Sequence, residues 1–278
     1  MTSVTVTKCH GTGNDFLLLD ARDLRGLPYA ELARELCRRR FSIGADGLLV
    51  LEQPAQAGCT AAMRIFNADG SEAEMCGNGV RCVARFLHEQ DPGQRSFDIQ
   101  TRAGAINVEV IDWCEEPGAR VRMGTPRFMD VGRTRHAGAA QGDVVCHAVD
   151  MGNPHLVAFC LGDVDAMDLD SLASILTDGD PDRTNVELAM VAGPGEIAMR
   201  VRERGVGETL ACGTGACAVA VCAINAGKTA SPVKVRSKGG VVGVEWAGPG
   251  SDVFLSGNAH LVFRTEIAVL RAATPAGS

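Results

Sequence analysis

Cys76 in AEMCGNGVRCVARF (73–86) and Cys212 in LACGTGACAVAVC (210–222) each stand directly before Gly-x-Gly at the mouth of an apolar, helix-like run. A thiol near a helix N-terminus ionises below its ordinary value of about 8.5, because the positive end of the helix dipole stabilises the thiolate. One such group suits a nucleophile or a redox centre. Two of them facing one cleft suit a different task, the inversion of a carbon acid. One thiolate takes the Cα proton and the opposite thiol returns a proton to the other face. The glycine N–H groups at both helix mouths hold the carboxylate on which charge builds. That chemistry needs no metal and no pyridoxal lysine. The sequence carries motifs for neither, so no cofactor is expected.

Helices must place these groups. Four segments read as helix: PYAELARELCRRR (28–40), then 78–89, 168–177 and 214–226. The first opens with proline and has Leu32, Ala33, Leu36 and Cys37 at helical spacing. Val80, Val83, Ala84 and Leu87 form an apolar face on the second, with its charges held to one side. The fourth has no charged residue and reads as buried all round, inside a curled sheet. Short β-branched stretches recur throughout: VTVTK, FLLLD, GLLVLE, AAMRIF, INVEVI, ARVRMG, HLVAFC, IAMRVRE, VKVRS, VVGVEW and HLVFRT. Many strands with few helices predict an α+β fold, not strict βαβ alternation.

The offset of 136 residues that carries Cys76 to Cys212 also carries Asn67 to Glu203. An offset of 139 carries Asn14 of GTGNDFLLLD to Asn153 of DMGNPHLVAF, and Asp46 of ADGLLVL to Asn185 of TNVELAM. Four landmarks in one order at a near-constant offset read as two homologous half-chains joined near CEEPGAR (114–120). Chance likeness among Gly/Asn turns is the alternative.

The 278 residues are 46% hydrophobic and 22% charged, enough for a substantial core, and the net charge of −7 argues against a nucleic-acid partner. The longest apolar run, ACAVAVCAINA (216–226), is shorter than the roughly 18 residues of a membrane span. MTSVTVTKCHGTGNDF lacks the features of a signal peptide, so a cytoplasmic protein with no membrane partner is expected. Eleven cysteines with no CxxC and no paired histidines nearby fit neither a zinc site nor a secreted disulfide framework. Most read as small core residues, above all Cys82, Cys217 and Cys222 within helices. The tail RAATPAGS reads as disordered.

Along nearly its whole length the chain resembles the diaminopimelate epimerases. The motifs that carry the likeness are HGTGNDF (10–16), RRRFSIGADGLLVLE (38–52), RIFNADGSEAEMCGNGVRC (64–82), MGNPHLV (151–157), RTNVELA (183–189) and RVRERGVGETLACGTGACA (200–218). The resemblance implies a pyridoxal-independent isomerase that interconverts LL- and meso-2,6-diaminopimelate in lysine and peptidoglycan precursor synthesis. It implies two pseudo-symmetric domains, each a barrel-like, mostly antiparallel sheet around a central helix. Their expected bounds are 1–117 with Cys76, to which 265–278 returns, and 118–264 with Cys212.

By the same resemblance Cys76 and Cys212 are the acid/base groups. Gly77, Asn78, Gly213 and Thr214 offer N–H groups to the reacting carboxylate. Asn14, Asn67, Asn153, Asn185, Glu203 and Arg204 fix the substrate, Arg204 and the asparagines reading its distal amino-acid end. His155 supports the cleft. Members often pair as homodimers. Some have glutamine where this chain has Gly47, which leaves no side-chain ligand there.

The residues leave other readings open. The four asparagines suit turns that tolerate left-handed backbone, Glu203 and Arg204 suit a solvated strand end, and His10 and His155 suit structural hydrogen bonds. GTGACA (213–218) fits a dinucleotide-binding glycine pattern, but SPVKVRS lies where an acid must grip the ribose. INAGKTA ends like a phosphate loop yet has Cys222 at the leading glycine and follows a helix. A proline racemase-like isomerase is the nearer alternative. Arg204 and the asparagines favour a substrate with a second charged end. An amino-acid-binding protein keeps the cleft but gives paired thiols no task.

Overall fold

A computed structural model of the protein describes residues 2–24, 26–136 and 142–269. The tail expected to be disordered lies outside these residues, as does the part of 265–278 beyond Val269. In chain order the elements are β1 (Thr2–Gly11), β2 (Asn14–Asp20), α1 (Tyr29–Leu36), β3 (Gly47–Glu52), β4 (Ala61–Asn67), β5 (Glu72–Ala73), α2 (Gly77–Gln90), β6 (Ser96–Thr101), β7 (Gly104–Trp113) and β8 (Glu116–Gly124). They continue with β9 (Arg127–His136), β10 (Asp143–Asp150), β11 (Pro154–Phe159), α3 (Leu169–Leu176), β12 (Asn185–Gly193), β13 (Glu196–Glu203) and β14 (Gly207–Thr209). The last are α4 (Gly213–Asn225), β15 (Val233–Ser237), β16 (Gly240–Trp246), β17 (Val253–Asn258) and β18 (His260–Val269). Two compact units result, one of residues through Ala119 with those from Asn258 onward, the other Arg120–Gly257.

In the first unit β1 runs antiparallel to β2 and β18, β2 parallel to β3, and β3 antiparallel to β4. β4 is antiparallel to β5 and parallel to β6, which is antiparallel to β7. The second unit repeats the scheme. β10 runs antiparallel to β11 and β9, β11 parallel to β12, and β12 antiparallel to β13. β13 is antiparallel to β14 and parallel to β15, which is antiparallel to β16. Each parallel pair needs a crossover. α1 and α3 supply matching ones, and so do α2 and α4. The fold is α+β and its topology is duplicated, as the sequence offsets predict.

Alternation along the strands explains the packing. Leu17, Leu19, Leu48 and Val50 join Leu32, Ala33 and Leu36 of α1 in one core cluster. Leu49, of opposite parity, meets α2 at Gly79. A strand buried on both faces reads as a continuous apolar run, which is why FLLLD and GLLVLE do. In the second unit Leu172, Ala173 and Leu176 of α3 join Leu156, Val186 and Leu188 in the equivalent cluster. α4 is buried from Gly215 to Ala223 and touches β10, β11, β12, β13, β15 and β16. Burying a side chain such as Val219 or Val221 there contributes about 1.5–3 kcal/mol. Among the described residues no helix is long and apolar enough to cross a membrane.

Two local expectations change. α1 stops at Leu36 instead of running to 40, because Gly44 N–H takes the Leu36 carbonyl (2.9 Å) and Arg39 turns towards Asp15. On α2 the charges are not all held to one side: Arg81 is fully buried.

Candidate active site

Cys76 has extended backbone (φ −144°, ψ 117°), so α2 can begin only after it, and no side chain caps the helix. Its first-turn N–H groups, those of Gly77 and Asn78 included, therefore have no partner within the helix and suit an anion. Gly79 is glycine because a Cβ would come within 2.9 Å of Leu49. The Cys76 thiol donates to Asn14 Oδ1 (3.8 Å), which also accepts from Asn78 Nδ2 (3.2 Å). Asn78 Oδ1 accepts from Arg81 Nη2 (2.9 Å). Buried Arg81 further donates to Thr12 Oγ1 (2.9 Å) and to the carbonyls of Asn258 (3.2 Å) and Gly77 (3.4 Å).

On its other side Asn14 donates from Nδ2 to Asp46 Oδ2 (2.9 Å). Arg39 clamps Asp46 (2.7 Å) and Asp15 (2.6 Å), and Lys8 bonds Asp15 (2.6 Å) and the Gly44 carbonyl. Burial opposes ionisation of Asp15. Hydrogen bonds from Arg39, Lys8 and Asp46 outweigh it and hold the carboxyl well below the usual range.

Cys212 repeats the backbone (φ −126°, ψ 117°) and again leaves α4 without a side-chain cap. Its sulfur lies 3.4 Å from Thr214 Oγ1. A Cβ on Gly215 would sit 2.8 Å from Glu187 Oε1 and 3.5 Å from Cys212 Sγ, so carboxylate and thiol share the space that glycine leaves open. Glu187 Oε1 lies 2.6 Å from His155 Nδ1, both side chains being fully buried, and His155 Nε2 lies 3.0 Å from Asn153 Oδ1. Burial raises the Glu203 carboxyl against the opposing bonds from Thr209 (2.6 Å) and Cys212.

Burial, then the Glu203 and Glu187 carboxylates, push the Cys212 thiol well above its ordinary range, opposed by Thr214 and the Gly215 N–H. A raised value means the neutral thiol is the favoured form, with its contribution to stability present below about pH 8.5 and lost as pH rises further. In the ligand-free protein, iodoacetamide is expected to modify Cys212 with a pH midpoint above that of exposed Cys114. Its rate at pH 7.5 is expected to be at least about tenfold lower. Peptide-mapped mass spectrometry reads both, and equal midpoints contradict the assignment.

The candidates therefore gather as two local clusters. Asn14, Cys76, Gly77 and Asn78 lie at the start of α2. Asn153, His155, Glu203, Cys212, Gly213 and Thr214 lie about the start of α4. Asn185 bonds backbone with both ends of its amide, donating to the Pro154 carbonyl (3.0 Å) and accepting from Arg204 N–H (2.9 Å). Asn67 is exposed at the end of β4, its amide donating to Ser71 Oγ (2.9 Å), and Arg204 is exposed beyond β13. At Gly47 a Cβ would come within 2.8 Å of the Phe66 carbonyl, so the backbone leaves no room for a side chain there.

Four contributors escape the sequence reading: Glu187, Arg81, Asp46 and Thr209. Glu187 carries a usable signal, a lone acid inside the apolar VELAM. Arg81 lies four residues after Gly77 and three before Ala84, on the buried stripe of its helix.

A family profile described as diaminopimelate epimerase matches residues 6–129 and 147–262. The diaminopimelate epimerase of Desulforudis audaxviator is 43% identical over 272 residues, covering 92% of this chain and 96% of its own. A Bacillus anthracis phenazine biosynthesis protein of the PhzF family shares the fold at a TM-score of 0.71 and 16% identity, covering 97% of this chain and 100% of its own. A probable proline racemase from Agrobacterium radiobacter K84 does so at 0.69 and 15%, covering 96% and 93%. At such identities these two likenesses speak for the fold alone. The sequence match runs through both halves and both Cys-Gly-x-Gly helix starts, and the chain belongs to the diaminopimelate epimerase family.

Proposed function

We propose that the protein interconverts LL- and meso-2,6-diaminopimelate, with Cys76 and Cys212 as the two acid/base groups at one Cα. The supporting observation is the duplication itself. Corresponding helices of two like halves each start from an N-cap cysteine with an uncapped first turn, in a chain of this family.

The substrate carboxylate docks on the N–H groups of Gly77, Asn78, Gly213 and Thr214. One sulfur, as thiolate, takes the Cα proton, and the electron pair left on carbon delocalises into the carboxylate, where those N–H groups meet the growing charge. The opposite thiol delivers its proton to the other face. The centre is inverted, the two sulfurs have exchanged roles, and solvent resets them. Burial makes the Cys212 thiolate scarce but strongly basic, which suits a weakly acidic carbon. The substrate ammonium beside Glu203 offsets the added negative charge.

Asn14, Asn67, Asn153 and Arg204 hold the substrate's two amino-acid ends. Asn185 shapes the chain at Arg204, and His155, steadied by Glu187, supports the Cys212 side. The cytosol, where thiols stay reduced, suits this chemistry.

Incubating the purified protein with LL-diaminopimelate and resolving stereoisomers by chiral chromatography tests the reading. Conversion towards meso with no action on L-proline is expected. The reverse pattern would favour the proline racemase-like alternative and overturn the proposal.

A further inference from the structure

We infer that Asp46, acting through the side-chain amide of Asn14, holds Cys76 as a thiol in the ligand-free protein. The inference rests on Cys76 being an acid/base group and deepens that assignment by naming a residue that positions its partner Asn14.

Four side chains form a chain with a fixed direction. An amide can donate from one end and accept at the other, and either end can point either way unless a partner decides. Here charged partners decide at both ends. The Asp46 carboxylate only accepts, so Asn14 must turn its NH2 to it (2.9 Å). The Arg81 guanidinium only donates, so Asn78 must turn its carbonyl to it (2.9 Å) and its NH2 to Asn14 (3.2 Å). What Asn14 has left for Cys76 is its oxygen, 3.8 Å from the sulfur.

An oxygen acceptor can take a hydrogen bond from a thiol and can only repel a thiolate. It therefore opposes the helix N-terminus, which favours the thiolate. Turning Asn14 over would present NH2 to the sulfur. That costs the bond to Asp46 and sets two NH2 groups against each other at Asn78. The device thus has two arrangements, and Asp46 selects the one in which Cys76 keeps its proton and serves first as the acid.

α2 packs against β1, β2, β4, β6, β7 and β18. The charged groups bonded to Asn14 or Asn78, or to their partners, are Lys8, Asp15, Arg39, Asp46 and Arg81. His10 of β1, its neighbour His260 of β18 and Glu74, two residues before Cys76, are the further ones to count. Lys8 and Arg39 are paired with Asp15 and Asp46, so these four largely cancel. His10 stacks on His260, 4.9 Å between ring centres. Burial, with the His260 and Lys8 charges assisting, favours its neutral form.

The test is peptide-mapped iodoacetamide modification of the full-length, ligand-free protein between pH 6 and 10, with Asp46→Asn and Asn14→Ala. Both variants are expected to lower the Cys76 midpoint by about one pH unit, giving about tenfold faster modification at pH 7. Cys59 and Cys114 should keep their wild-type profiles. Asn14→Ala removes the acceptor while leaving the Asp46 charge in place, so a shift there belongs to the amide. An unmoved midpoint in both variants overturns the inference, even if the plateau rate rises, because a plateau reports exposure alone. With both variants folded by circular dichroism, a shift in only one also overturns it. Should Asp46→Asn not fold, Asn14→Ala decides. Wild-type turnover of LL-diaminopimelate is recorded alongside. Its absence counts against the proposed function, whereas turnover with unmoved midpoints counts against this inference alone.

Discussion

Cys76→Ala and Cys212→Ala are each expected to lower epimerisation by at least about a thousandfold, with the double variant scarcely worse than either single one. Positioned general acids and bases contribute about a hundredfold to ten-thousandfold each. In a two-base inversion the two contributions are not separable. A single remaining sulfur can remove a proton, but it cannot supply one to the opposite face, so losing one group forfeits nearly the whole effect. Both variants should fold, since each change removes one sulfur at an N-cap and leaves the extended backbone from which the helix starts. Chiral chromatography over a long incubation measures the residual rate. Turnover within about tenfold of wild type in either variant would rule out the pair.

Arg81→Met is expected to destabilise the protein by about 3–5 kcal/mol, close to the cost of breaking a buried charged network. Arg81 is fully buried despite its charge, and it donates to Asn78, Thr12, Gly77 and Asn258. Methionine fills part of the volume and satisfies none of these acceptors, and each buried oxygen left without a donor costs about 1–3 kcal/mol. Arg81→Lys keeps the charge but not the planar fork, so it should fall between. Urea titration followed by circular dichroism gives the difference. A loss under about 1 kcal/mol would mean that Arg81 is dispensable to the network.

The sequence is most readable where burial is local and periodic. All eleven β-branched stretches picked out fall in strands, except that HLVAFC runs one residue past β11 at Cys160. Among the strands outside those stretches, some are open to solvent on one face or broken by glycine and charge. SFDIQT of β6 hides only alternate residues, and RFMDVGRTRH of β9 carries three arginines and a glycine. Distance along the chain hides the rest. Arg81 reads as a solvated charge because two of the groups that accept its hydrogen bonds, Thr12 and Asn258, lie 69 and 177 residues away. Glu187 meets His155 across 32 residues. Asp46 is visible as a repeat landmark, yet nothing in its surroundings announces a bond to Asn14. The two cysteines are legible because the duplicated fold states their setting twice.

The central claim is that each Cα receives its new proton from a different group than the one that took the old. Early-time conversion of LL-diaminopimelate in heavy water measures this directly. The account predicts that the first meso product carries deuterium at the inverted carbon, while unreacted LL substrate still carries protium there. Product that keeps the substrate's own proton would show a single base carrying it across, and would contradict the account.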